Sequence, residues 1–335
     1  NPEIIKKTKN YFKGDKNLLI LRQEGEISRR PGNSFFIEFS EVVSFSEKTA
    51  FIIHDKEILN FDKDNLRIYF QNGYYFNNSK LEKLSLPKSF TISKNGGIKS
   101  IFIYKDKQFA LISSLNNGCY YASIVLIDQS KEIFKTQCLP KKKIDYNGLG
   151  SSHIHYNDKI FLSIGTPEQA SSAIRELAQD KNSFFGKIVE IDKKDLDKII
   201  VGHANDLDIK IFTSGHRNPQ GLTKINESFF SVEHGPKGGD ELNKIIKDKN
   251  YGWPLVSYGT QYDYDEKGKY YEVNHELNSF EEPLFALVPS VGISALNTCP
   301  TKLKEYYKKP CLLALSLHGN ELRPGRSIII YLLNE

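Results

Sequence analysis

The sequence predicts an all-β chain, and three observations carry that expectation. Aromatic and β-branched residues gather in short runs, such as Phe35-Phe36-Ile37, Ile101-Phe102-Ile103-Tyr104 and Ile328-Ile329-Ile330-Tyr331, each with the length and composition of a strand core. Helical periodicity is scarce. At 335 residues the chain exceeds the usual size of one compact core, so its strands must form two packed sheets or a radial repetition of small ones.

In chain order, hairpin-like units are expected over Phe51 to Phe61, Ile101 to Ile112, Ile154 to Ile164, Leu222 to Val232 and Leu312 to Leu332. Pro167 to Lys181 carries Ala170, Ala173, Ile174 and Leu177 at helical spacing behind Pro167-Glu168, which predicts one short helix in a loop that packs across the sheet tops. Pro300 to Tyr307 carries lysines and is expected to be a solvated turn. Cys119, Cys138, Cys299 and Cys311 make an even count that allows three connectivities. The first two flank runs that can pair as a hairpin and the last two bracket one connector, so two local bridges are sterically accessible; buried free thiols are the alternative.

Composition excludes some functions. The net charge of +5, from 46 Lys and Arg against 41 Asp and Glu, is mild for this length. The longest basic cluster, Lys141-Lys142-Lys143, has no flanking aromatics to stack on bases, which argues against nucleic-acid binding. No run approaches the roughly 20 apolar residues of a membrane span.

The chemistry concentrates between Ser214 and Pro254. Gly215 to Gly221 reads Gly-His-Arg-Asn-Pro-Gln-Gly, Glu233 to Asn243 reads Glu-His-Gly-Pro-Lys-Gly-Gly-Asp-Glu-Leu-Asn, and Asn250 to Pro254 reads Asn-Tyr-Gly-Trp-Pro. Gly and Pro are too frequent there for a helix or a continuous strand. Leu222 to Val232 reads as two strands about a turn at Asn226-Glu227, and a hairpin brings its two ends together, which predicts the Arg217 guanidinium beside the Gly235 and Pro236 carbonyls. An arginine fork suits a planar carboxylate and loop carbonyls suit a hard cation such as calcium.

These three motifs, in this order and spacing, resemble the glucose/sorbosone dehydrogenase family, the soluble pyrroloquinoline quinone (PQQ) sugar dehydrogenases and their relatives. Further matches are Gly96-Gly97-Ile98, Ala178-Gln179-Asp180 with Gly186-Lys187-Ile188, and Pro289 to Ser294. The resemblance runs from about Gly96 to Gly319, so a single domain over 1–335 is expected, with a divergent part at 1–95 and a family-like region at 96–319. It implies a six-bladed β-propeller, incomplete at the C-terminal blade unless N-terminal strands close it. It also implies that Arg217 and Asn218 contact PQQ, that the Gly235 and Pro236 carbonyls hold its calcium, and that Glu241 and Tyr251 belong to a second, structural calcium site. The substrate class is an aldose or related sugar, with an electron acceptor as second partner. Since relatives are exported, a periplasmic or secreted location with a removed leader is expected.

The chain departs from the family pattern at the base. Family members open a His-x-Gly-Gly-Arg-Leu segment with the histidine that takes the sugar proton, and the matching position here is Leu149. His153 falls where the family has arginine and His155 lies two residues on, so on one strand face either imidazole is a candidate displaced base; ordinary polar strand residues are the alternative. The family's cofactor-binding lysine is absent from Ala295-Leu296-Asn297-Thr298, and Ser316-Leu317-His318-Gly319 stands where relatives carry Leu-Arg-Gly. Arg323 and Arg326 are expected to be turn residues. His216 and His234 are expected to hold loop backbone, Glu233, Asp240 and Glu241 to bind calcium or cap turn amides, and Trp253 to anchor packing between blades. The reading from a different class is a non-catalytic, calcium-braced propeller that binds a glycan or a protein.

Overall fold

Short apolar runs joined by tight turns fold as antiparallel meanders. The computed structural model describes residues 41–45, 48–53, 67–77, 80–169, 171–260, 275–317 and 328–333. Among these, the strands form five sheets in which consecutive strands pair. The first holds β1–β5 (Glu41–Phe45, Lys48–Ile53, Arg67–Phe70, Tyr74–Asn77, Lys80–Lys83) and the second β6–β9 (Ile98–Tyr104, Lys107–Asn116, Cys119–Leu126, Lys131–Lys135). The third holds β10–β13 (His153–Tyr156, Lys159–Ile164, Lys187–Asp192, Ile209–Ser214), the fourth β14–β17 (Pro219–Ile225, Ser228–Glu233, Asp240–Ile245, Phe285–Leu287), and the fifth β18–β20 (Ile293–Thr298, Cys311–Ser316, Ile328–Leu332). Two-residue turns at Lys105-Asp106 and Asn117-Gly118 take positive φ at both positions (48° and 58°, 47° and 75°), the conformation that matches the twist of flanking strands.

The second, third and fourth sheets bury both faces, and this decides between the two all-β alternatives. In the second sheet, Ile101, Ala110 and Ile112 pack toward the first sheet with Tyr69 and Leu84, while Phe102, Phe109 and Leu111 pack toward the third with Ile160, Leu162 and Val189. Phe161 points the other way, onto Leu222 and Phe229 of the fourth sheet. Phe230 and Val232 continue onto Ile293, Leu312 and Ala314 of the fifth. Alternating side chains therefore stitch the second, third and fourth sheets each to the one before and the one after, whereas a two-sheet sandwich leaves one face of each sheet in water. First strands neighbour first strands: β14 packs against β10 and β18, and Ser100 of β6 meets His153 of β10. The chain is all-β, with a β-propeller-like arrangement of sheets.

Expected hairpins at 101–112, 154–164 and 222–232 are β6–β7, β10–β11 and β14–β15, and Leu312 to Leu332 contains the β19–β20 pair. The Phe51 to Phe61 unit runs past Ile53, and Phe35 to Ile37, His318, Arg323 and Arg326 lie outside the described residues. Among the described residues no strand from the first 95 joins β18–β20; β1–β5 pair with one another instead, so closure by N-terminal strands is not what they show.

Among the described residues three α-helices stand between strands. The expected one is α1 (Ser172–Arg175), continued by a tighter turn over Glu176–Ala178. Helix α2 (Lys193–Ile200) was not anticipated: its lysines and aspartates hide a narrow apolar stripe of Leu196 and Ile199, both buried, behind an Asp192 cap that accepts from Lys194 N at 3.0 Å. The segment expected as a solvated turn is helix α3 (Thr301–Tyr307), because Leu303 and Tyr307, one turn apart, pack on Cys299, Cys311 and Leu313. Both local disulfides form, Cys119–Cys138 and Cys299–Cys311, each with Cα atoms 5.4 Å apart.

Candidate functional site

Residues Gly215 to Asn218 turn the chain from β13 into β14. Gly215 takes φ +77° and a Cβ there would lie 2.1 Å from Asn250 Oδ1, so this position requires glycine. His216, which follows, is fully buried: Nδ1 lies 3.0 Å from Glu233 Oε1, Nε2 lies 2.9 Å from Thr213 Oγ1, and the ring stacks on Tyr251 at 4.6 Å. Glu233 also accepts Arg217 N at 2.8 Å and Asn243 Nδ2 at 2.9 Å. Burial pushes its carboxyl up, but the His216 charge and these donors outweigh that and hold it below the usual range. His216 thus holds loop backbone, as expected, and does so through Glu233.

The hairpin brings Arg217 to the residue just before the predicted carbonyls. Hairpin β14–β15 pairs Pro219 with Glu233, and Arg217 Nη1 donates to His234 O at 3.0 Å, the carbonyl just before Gly235 and Pro236. The guanidinium carbon lies 5.2 Å from the Trp253 ring, and Arg217 O accepts from Thr166 N and Oγ1 at 2.8 and 2.9 Å. Trp253 is therefore more than the expected packing anchor on Ala178. One edge of the fork is left over: Arg217 Nε is shielded from solvent without a hydrogen-bond partner, and Nη2 stands 3.9 Å from Glu168 Oε1, an ion-pair distance too long for a hydrogen bond.

Asn218 is buried, its Oδ1 accepting from Gln220 Nε2 at 2.8 Å. The Gly235 loop is closed by Asp240, whose Oδ1 takes Gly235 N at 3.2 Å and Ser290 Oγ at 2.8 Å while Oδ2 takes Val291 N and Ile293 N at 3.0 Å each. Asp240 caps amides; it is saturated by donors. Among the described residues no group of three His, Cys, Asp or Glu could hold a metal, so a calcium ion here would rest chiefly on main-chain oxygens.

Glu241 and Tyr251 are both buried. The Tyr251 hydroxyl donates to Lys244 O at 2.5 Å and accepts from Ile246 N at 2.9 Å, which leaves its carbonyl, not its phenol, for a cation. Burial, then the charge of Glu233, raise the Glu241 carboxyl well above the usual range, with Asn243 Nδ2 at 3.2 Å opposing. Because the folded value exceeds the unfolded one of about 4.3, the folded chain keeps a proton that the unfolded chain releases, and stability falls as pH rises through that window. Glu241→Gln should therefore raise the urea midpoint of calcium-free protein at pH 7 and leave it unchanged at pH 4.

Leu149 is 1% exposed and packs in the largest core cluster with Tyr146 and Ile164. Its loop touches Asn218 through glycine instead, since a Cβ at Gly150 would lie 2.3 Å from Asn218 Oδ1. His153 and His155 share one face of β10, as expected, with ring centroids 5.8 Å apart beside Phe102, and His153 Nδ1 is 3.0 Å from Ser100 Oγ.

Three supporting residues escaped sequence reasoning. Lys187 is 1% exposed and its ammonium donates to the carbonyls of Leu177, Ala178 and Phe185 at 2.9, 2.7 and 3.0 Å; burial lowers it to about 8, with Asp180 opposing. Lys99, half-buried in β6, donates to Asn95 O at 3.0 Å and is lowered by burial to about 7, with Asp145 opposing. Glu168 had registered only as a helix start, because a lone carboxylate after proline carries no signal for its partner 49 positions on.

In this all-β array the loops flanking hairpin β14–β15 bring Arg217 and Asn218 against His234, the residue before the Gly235-Pro236 turn. The chain belongs to the Glucose / Sorbosone dehydrogenase family, whose pattern it matches over residues 115–323. It is 40% identical over 119 residues to an uncharacterized protein of Synechocystis sp., covering 33% of this chain and 29% of that one. Aldose sugar dehydrogenase YliI of Escherichia coli is 35% identical over 108 residues (31% and 28%), and quinoprotein glucose dehydrogenase B of Acinetobacter calcoaceticus 35% over 106 (30% and 22%). The match thus spans under a third of each relative. In fold, the chain resembles the apo-form soluble aldose sugar dehydrogenase of Escherichia coli (TM-score 0.57, 21% identity, 80% and 82% covered) and a glucose dehydrogenase (TM-score 0.57, 23% identity, 82% and 85% covered).

Proposed function

We propose that this protein is a PQQ- and calcium-dependent oxidoreductase that oxidises an aldose or related sugar, built as one six-bladed propeller over 1–335 with a divergent part at 1–95 and a family-like region at 96–319. The observation that carries the reading is the Arg217 fork: an edge of two donors, one of them shielded and unsatisfied, beside Asn218 and the carbonyl turn. Such an edge is complementary to a carboxylate, and PQQ carries three. In this reading Arg217 and Asn218 hold the cofactor, and the main-chain oxygens of Gly235 and Pro236 hold its calcium. Glu241 and the Tyr251 carbonyl hold a second calcium, which relieves the buried Glu241 and Glu233 charges. When bound, PQQ supplies an electron-poor quinone carbon that accepts hydride from the sugar. The chain's own part is to orient that group, shield it from water and take the hydroxyl proton, for which His153, aligned by Ser100, and His155 are the candidates. The electron pair taken from the sugar then leaves for a separate acceptor, and the two disulfides suit a periplasmic or secreted setting.

The test is a titration of calcium-depleted protein with PQQ and calcium, following cofactor absorbance, then dye reduction with a panel of aldoses. Absence of PQQ binding removes the enzyme reading. Binding without turnover favours the second reading, a calcium-braced scaffold that binds a glycan or protein, which the burial of Leu149 supports. Leu149→His is not expected to restore a base: it buries an imidazole in an apolar cluster, so it should cost about 2–4 kcal/mol in urea unfolding and give no gain in dye reduction.

A further inference from the structure

We infer that Glu168 is a resident counter-anion on Arg217, a side chain whose charge stands beside the seat of a ligand carboxylate and so determines which anions the site accepts. The inference rests on the assignment of Arg217 as the anion-binding residue. The Glu168 carboxylate is 6% exposed and stands 3.9 Å from Nη2. It is tethered by Ser171 N, which donates to Oε2 at 3.2 Å, and it sits on the same loop as Thr166, whose amide and hydroxyl grip Arg217 O. The shielded Nε has no acceptor. Glu168 therefore neutralises the fork without satisfying it.

A carboxylate at 3.9 Å gains Coulomb attraction but no short charge-assisted bond. A ligand carboxylate that reaches Nε and Nη2 together gains both bonds, provided it moves the Glu168 charge aside. That displacement is a fixed cost to every ligand. A monocarboxylate recovers it from one contact only, whereas a rigid polycarboxylate recovers it from the fork together with contacts elsewhere in the site. Glu168 thus selects rigid polycarboxylates and rejects simple acids, a discrimination made by penalising the wrong ligand.

The chain's single tryptophan, Trp253, lies 5.2 Å from the guanidinium, so its fluorescence reports occupancy with no turnover needed. Wild type, Glu168→Gln and Glu168→Asp should be titrated with PQQ and, separately, with benzoate. Glu168→Gln should bind PQQ about tenfold more tightly than wild type and acquire measurable benzoate binding; Glu168→Asp, which keeps the charge, should stay near wild type. Thermal unfolding checks that each variant is folded. Equal or weaker binding of both ligands by folded Glu168→Gln overturns the inference, as does a Glu168→Asp variant that behaves like Glu168→Gln. If no variant binds PQQ but Glu168→Gln gains benzoate, the cofactor assignment falls and the counter-anion role stands. If Glu168→Gln does not fold, Glu168→Ala takes its place under the same criteria.

Discussion

Arg217→Ala should weaken PQQ binding by about 10²–10⁴-fold, since two charge-assisted bonds of about 1.5–3 kcal/mol each are removed together. The fold should survive. The backbone of Arg217 keeps its bonds to Glu233 and Thr166 whatever the side chain, and the lost side-chain contacts are one hydrogen bond to His234 O, a cation–π contact with Trp253 and the ion pair with Glu168, together about 2–4 kcal/mol. Arg217→Lys separates charge from geometry: it restores a cation but not a fork, so it should recover only part of the affinity. Isothermal titration alongside urea unfolding checks both halves. A variant that binds PQQ as wild type does removes Arg217 from the site.

Asp240→Ala should be the most destabilising change in the motif region, by about 3–5 kcal/mol in urea unfolding. One carboxylate satisfies four donors, Gly235 N, Ser290 Oγ, Val291 N and Ile293 N, and it is 1% exposed. Truncation strands three main-chain amides away from water. It also unties the carbonyl turn from the start of β18, so calcium affinity at Gly235 and Pro236 should fall in the same variant. Asp240→Asn keeps an acceptor but loses the charge and should lie between. A loss under about 1 kcal/mol would show that the turn is held by other contacts, chief among them the close approach of Gly235 to Gly239, where a Cβ would meet Gly239 O at 2.1 Å.

Strands were legible because period-two patterns and left-handed turn residues act locally: Ile101 to Ile112 and Leu222 to Val232 announce their hairpins in a dozen residues or fewer. Helix α2 was not, because Leu196 and Ile199 acquire meaning only once a sheet lies beneath them. Leu149 illustrates the same limit at the site. The family resemblance puts Leu149 where a base is expected, yet only packing shows that this side chain lies in the core.

Taken alone, the amino-acid order determined the all-β class, the two short-range disulfide options, the family and the nearness of Arg217 to the turn after Glu233, since a hairpin joins its own ends without help from distant chain. Tertiary structure decided the rest. Glu168, Lys187, Trp253 and Asp240 act through contacts 9 to 74 residues apart, and their partners are set by how one sheet leans on the next. Charge and hydrogen bonding depend on distance in space and on shielding from water, and neither is encoded at any single position.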